Sequence, residues 1–130
     1  MWLFNKTSEF VKCSEKLGIS EETHIAIENW VTSVGRIETG RQKIIFRSPR
    51  NSFEIWIARI PDPESNKGKS GGFRLVYILN LKENAVYVDK MEKRSSMGFG
   101  DERPRDKQKF QEYISELKIY LLKIIENGDR

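Results

Sequence analysis

The apolar pattern of this 130-residue chain changes period twice, and that change restricts the fold more than any single motif does. Helical spacing governs the first third, alternation governs the middle, and helical spacing returns at the end. Phe10, Cys13 and Leu17 share one helical face behind Thr7 or Ser8 as a cap, and Gly18 supplies the stop. Ser20 caps a second helix with Glu21 and Glu22 in its first turn, where carboxylates complement the helix dipole. His24, Ile27, Trp30, Val31 and Val34 line the expected buried face of that helix before Gly35 ends it. A short extended start covers residues 2–5. Four strand-like runs then occupy residues 43–47, 53–60, 73–80 and 85–91, with a turn at Ser48-Pro49-Arg50-Asn51 between the first two. Lys82-Glu83-Asn84 is short enough to join the last two as an antiparallel hairpin. Phe110, Ile114, Leu117, Leu121 and Ile124 recur at intervals of four, three, four and three, predicting an amphipathic helix over about residues 106–126. The expected fold is α+β, one domain over residues 1–130: an N-terminal helical hairpin, an antiparallel twisted sheet of about four strands, and a C-terminal amphipathic helix.

Composition excludes several classes of function. The chain is 38% hydrophobic and 32% charged, and its longest apolar run is the five residues of LVYIL, so no segment is long enough to span a membrane. Lys6 and Glu9 interrupt the N-terminal apolar residues before a secretory h-region forms. Cys13 is the one cysteine and His24 the one histidine, so neither an internal disulfide nor a zinc site is expected, and no cofactor is implied. The expected compartment is a reducing cytoplasm. Net charge is +4 and the excess is local: residues 36–74 carry nine basic and four acidic side chains. Such a surface draws polyanions, although a solvated basic face kept for solubility accounts for the same charge.

Residues 66–77, NKGKSGGFRLVY, hold the densest chemistry. Three glycines, two lysines and a serine run directly into a strand whose second residue is Arg74, which sets a cationic loop and a rigid guanidinium toward the same solvent. The expected ligand is anionic. Gly68-Lys69-Ser70 resembles the end of a nucleotide-binding P-loop, but the first glycine of that motif falls at Pro63, and a strand follows where the motif requires a helix N-terminus.

Several strings in this order resemble the RelE/ParE superfamily of bacterial toxins from toxin–antitoxin pairs. FVK through KLGIS, residues 10–20, is similar to the helical hairpin with which many members begin. GKSGGFRLVY, residues 68–77, is similar to their central glycine–aromatic–arginine strand. VYVDK continuing to Glu92-Lys93-Arg94 is similar to the following strand, which ends in basic residues. The resemblance runs along most of the chain. It implies a compact RelE-like toxin of a type II toxin–antitoxin system, an endoribonuclease that cuts messenger RNA at the ribosome without a metal and is held inactive by a cognate antitoxin.

RNA cleavage of that kind uses the substrate's own 2′-hydroxyl as nucleophile. The protein then has to assist deprotonation, stabilise negative charge and protonate the leaving 5′-oxygen. The resemblance makes Arg74 the phosphate clamp, with Arg94 and Lys93 as further catalytic cations and Arg59, Lys67, Lys69 and Lys90 as nucleic-acid contacts. A lysine crowded by these cations is a candidate for proton transfer through a lowered pKa. The sequence departs from the family where a tyrosine or histidine often follows the strand: Arg94 is followed by Ser95, Ser96, Met97, Gly98, Phe99 and Gly100. Glu54 reads as a solvent-facing carboxylate, His24 as a boundary histidine, Cys13 as a small apolar residue, and Tyr77 and Tyr87 as core. Two other functions stay open. One is a ParE-like toxin that binds gyrase; the other is a non-catalytic nucleic-acid or protein-binding module, with Trp56 or Phe99 available for stacking.

Overall fold

The computed structural model describes residues 2–34, 36, 41–60, 72–93 and 104–127. Strand β1 (Leu3–Lys6) is followed by helices α1 (Ser8–Leu17) and α2 (Glu21–Val34), strands β2 (Gln42–Arg47), β3 (Phe53–Ile60), β4 (Phe73–Asn80) and β5 (Ala85–Lys93), and helix α3 (Pro104–Leu121). The last helix continues as a π-helical turn over Leu122–Glu126. Helix α1 starts where expected: Thr7 Oγ1 accepts from the Phe10 amide at 3.1 Å. It ends at Gly18, whose φ of 67° closes the helix with amide bonds to the Ser14 and Glu15 carbonyls. Ser20 Oγ accepts from the Thr23 amide at 3.2 Å and so caps α2.

The sheet has five strands in the order β1-β5-β4-β3-β2. It is mixed, which corrects the expected four-stranded antiparallel sheet. The extended start is a strand, and it pairs parallel to β5 with Phe4 opposite Val86. A parallel partner needs a long crossover, which here is residues 7–84, so local pattern could not reveal the pairing. The central strand β4 is buried along its whole length. Phe73, Leu75, Tyr77 and Leu79 pack on one face with Phe10, Ile27 and Val31 from α1 and α2. Val76 and Ile78 pack on the other with Ile114 and Leu121 from α3. The N-terminal helices therefore bury their apolar stripes against the sheet, forming one outer layer of a three-layer molecule.

Two expected stripes are displaced. On α2 the buried positions are Thr23, Ile27 and Val31, with His24 and Trp30 half-buried at the margin; the Val34 side chain lies outside the described residues. On the C-terminal helix Ile114 and Leu121 are buried, but Ile124 is 43% exposed and Ile125 packs instead. The π turn causes this, since its wider winding, closed by the Asn127 amide on the Leu122 carbonyl at 2.8 Å, rotates the last residues relative to an α-helix.

Candidate functional site

Strand register places the predicted cations. Arg59 on β3 pairs with Arg74 on β4, and Arg74 pairs with Glu92 on β5. Directly opposed residues point to the same face, so Arg59, Arg74 and Glu92 form one row on the α3 side. The row lies at the end of the sheet where β3 finishes, β4 begins and β5 finishes. Arg59 is exposed, whereas Arg74 is 1% exposed, so the guanidinium does not face solvent as the loop-and-strand pattern led us to expect. The reason is topological: β4 is central and covered on both faces, a fact that alternation within the strand cannot show.

Lys93 does not join this row. It pairs with Phe73, whose ring packs on the α1 and α2 side, so Lys93 stands on the opposite face from Arg74. Arg94, Lys67, Lys69 and Phe99 lie outside the described residues.

Lys90 pairs with Val76, one row inward from Arg74 on the same face. Its ammonium is 3.4 Å from Glu9 Oε2 and 3.4 Å from Glu92 Oε2, and sits 5.1 Å from the centre of the Tyr113 ring. Burial pulls the Lys90 pKa down, but Glu92, Cys13 and Glu9 outweigh it and hold the pKa above the ordinary lysine value. Lys90 therefore stays a cation, which corrects the idea of a proton-transferring lysine at this position. Beside it Asp89 is the extra residue of a bulge in β5, where the register shifts between Val76 and Tyr77. The bulge aims the buried Asp89 carboxylate at α3, and Tyr113 Oη donates a short hydrogen bond to it. Burial, then the Asp89 charge, push the Tyr113 pKa far up, so the phenol keeps its proton. Sequence periodicity could not disclose this contact, because the bulge breaks the alternation that would have been read.

The other face holds a group the sequence misread. Glu54 is fully buried and not solvent-facing. Arg36 donates to it through Nε at 3.1 Å and Nη2 at 2.7 Å, Arg47 through Nε at 2.9 Å, and Trp56 through Nε1 at 3.0 Å. Burial raises the Glu54 pKa, but the bonds from Arg36, Trp56 and Arg47 more than reverse this and leave it below the ordinary carboxylate value. Both carboxylate oxygens are occupied, so Glu54 ties the chain after α2 and the edge strand β2 to the core. A usable signal existed: the turn at Ser48 sets Arg47 opposite Glu54. Trp56 lies 6.1 Å from Tyr77 with the rings nearly parallel, and Trp30 meets Tyr77 edge-on at 6.4 Å. These aromatics are core. His24 is half-buried, edge-on to Phe10, and its pKa is lowered by burial and by Lys6. Burial keeps the Cys13 thiol pKa raised.

Among the described residues, the arrangement able to act on an anion is therefore the Arg59–Arg74–Glu92 row with Lys90 beside it. Comparison with known proteins places the fold. No protein-family model matches the sequence, and no curated protein sequence matches it either. The structure is similar to the archaeal RelE–RelB complex from Pyrococcus horikoshii, with a TM-score of 0.51 and 13% identity over 74% of this chain and 98% of that chain. It is more loosely similar to HP0892, a conserved hypothetical protein from Helicobacter pylori, with a TM-score of 0.44 and 13% identity over 73% of this chain and 97% of that one. The chain has a RelE-like fold.

Proposed function

We propose that this RelE-like fold serves as the toxin of a type II toxin–antitoxin system and acts as a metal-independent endoribonuclease on translated messenger RNA at the ribosome, in the cytoplasm. The observation that carries the reading is the alignment of Arg59, Arg74 and Glu92 in one row across three strands. Two guanidiniums bracket a position for a phosphate, and a carboxylate stands beside them to take a proton. Glu92 accepts the proton of the 2′-hydroxyl, whose oxygen attacks the adjacent phosphorus. The 5′-oxygen leaves with a proton from solvent, and a 2′,3′-cyclic phosphate remains. Arg74 stabilises the added charge, with Arg94 as a further cation. Because Arg74 is 1% exposed, a phosphate reaches it only when the substrate displaces what covers it. Lys93, on the other face, acts in holding RNA and not in the chemistry; Arg59, Lys67, Lys69 and Lys90 hold it as well. An antitoxin partner is supported by the likeness to a RelE–RelB complex.

The burial of Arg74 favours a second reading, a toxin or binding module that docks a partner such as gyrase without cutting RNA. Induced expression in a bacterium, with mapping of new RNA 5′ ends and assay of gyrase supercoiling, separates the two. New ends within coding sequence support the nuclease. Growth arrest with gyrase damage and no new RNA ends overturns it.

A further inference from the structure

A groove of about 540 Å³ runs between α1 and the C-terminal half of β5, beyond the residues where that strand pairs with β1. Lys12 and Lys16 line it from the helix, Lys90 and Lys93 from the strand. Lys12 and Lys16 are four residues apart, so they stand one above the other, about 6 Å apart along the helix axis. Lys90 and Lys93 are about 10 Å apart along the strand. The helix lysines thus form one basic rail, and Lys90 and Lys93, on opposite faces of β5, bring cations to the strand side of the groove. Between them Cys13, Leu17 and Met91 make an apolar floor, the cysteine as a protonated thiol. Glu9 and Glu92 also line the groove, each 3.4 Å from the Lys90 ammonium, which offsets one of their two charges. Among the described residues Lys12, Lys16 and Lys93 are exposed and make no ion pair, so the rim keeps an uncompensated positive charge.

We propose that this groove binds single-stranded RNA, with phosphates along Lys12, Lys16 and Lys93 and bases over the apolar floor. Several cations beside an apolar surface match a polymer that alternates charge with flat apolar rings. Glu92 lines this groove and also faces Arg74, so a strand leaving the groove over the edge of β5 arrives at the proposed catalytic row. The inference rests on RNA being the ligand of this domain. It goes beyond that reading by giving α1, a helix with no part in the chemistry, the task of holding the strand.

Fluorescence anisotropy of a labelled single-stranded RNA oligonucleotide, titrated with the full chain across a salt series, tests it. Each phosphate neutralised contributes about 0.7 to the slope of log affinity against log salt. Lys12→Ala combined with Lys16→Ala is expected to reduce the slope by about 1.4, whereas Lys123→Ala on the C-terminal π turn leaves it unchanged. Both lysines are exposed, so the variant keeps its circular dichroism spectrum. An unchanged slope in a double variant of a chain that still cleaves RNA overturns the groove alone. A wild-type chain that binds no RNA overturns both the groove and the nuclease reading. Displacement of the oligonucleotide by a polyglutamate peptide at lower concentration than by unlabelled RNA also overturns the groove assignment, in favour of an acidic protein segment.

Discussion

Arg74 and Glu92 face each other across β4 and β5 as register partners, the guanidinium buried and the carboxylate still open to solvent. Glu92 is also 3.4 Å from the Lys90 ammonium, so one carboxylate links the covered centre of the sheet to its edge. Lys93, the next residue, points to the other face because the strand period is two. The end of β5 therefore borders two sites at once: the proposed catalytic row on the α3 side and the lysine-lined groove between the strand and α1.

Arg74→Ala is expected to abolish growth arrest and to slow RNA cleavage about a hundred- to a thousandfold, or about 2.7 to 4 kcal/mol of transition-state stabilisation. Because the side chain is buried, the substitution also leaves a cavity and lowers Tm. Cleavage rates are therefore compared with the folded fraction measured by circular dichroism. A folded Arg74→Ala chain that still arrests growth fully refutes the role.

Glu92→Gln keeps the size of the side chain and removes its basicity. Loss of a general base costs about a hundred- to ten-thousandfold. A folded Glu92→Gln chain that cleaves RNA within about tenfold of the wild-type rate, well short of the loss expected for a general base, assigns the base to another residue.

Glu54 makes stability depend on acid. Its folded pKa lies below the unfolded carboxylate value of about 4.3, so its contribution is fully present above that value and is lost as pH falls through the lower folded pKa. Thermal melts of wild type and Glu54→Gln are expected to differ most near neutrality and to converge in acid. A Tm difference that stays constant down to the folded pKa and below contradicts this.

Tyr113→Phe removes a hydrogen bond that joins α3 to the β5 bulge and leaves the Asp89 carboxylate buried without that donor. Hydrogen bonds to charged groups contribute about 1.5 to 3 kcal/mol, and urea denaturation is expected to show a loss in that range. A change under about 0.5 kcal/mol, the scale of ordinary surface substitutions, means that α3 is held by apolar packing around Ile114 and Leu121.

An antitoxin is expected to act on the C-terminal helix or on the cationic segments. Hydrogen exchange with and without the cognate partner should change protection in α3, across residues 67–74, or across residues 90–94. Ile119, Tyr120 and Ile124 are exposed on the C-terminal helix and give an amphipathic partner helix an apolar surface beside it. Protection that changes only in α1 and α2 rules this mode out.

The sequence by itself determined the elements: the caps at Thr7 and Ser20, the stop at Gly18, the limits of β3 and β4, and the stripe that lays α3 on a sheet. These follow from interactions within a few residues, where helix spacing, strand alternation and capping chemistry are readable. Tertiary structure decided which surfaces those elements show. The N-terminal strand became a parallel neighbour of β5, more than eighty residues away in the chain. Arg74 went inside because β4 took the centre of a sheet covered on both faces, and Glu54 went inside because Arg36 and Arg47 met there to neutralise it. Lys93 parted from Arg74 because register, set by pairing with β4, assigned neighbouring residues to opposite faces. Burial of a charge depends on what the rest of the chain brings to it, and the residues that cover Arg74 and neutralise Glu54 come from other elements of the fold.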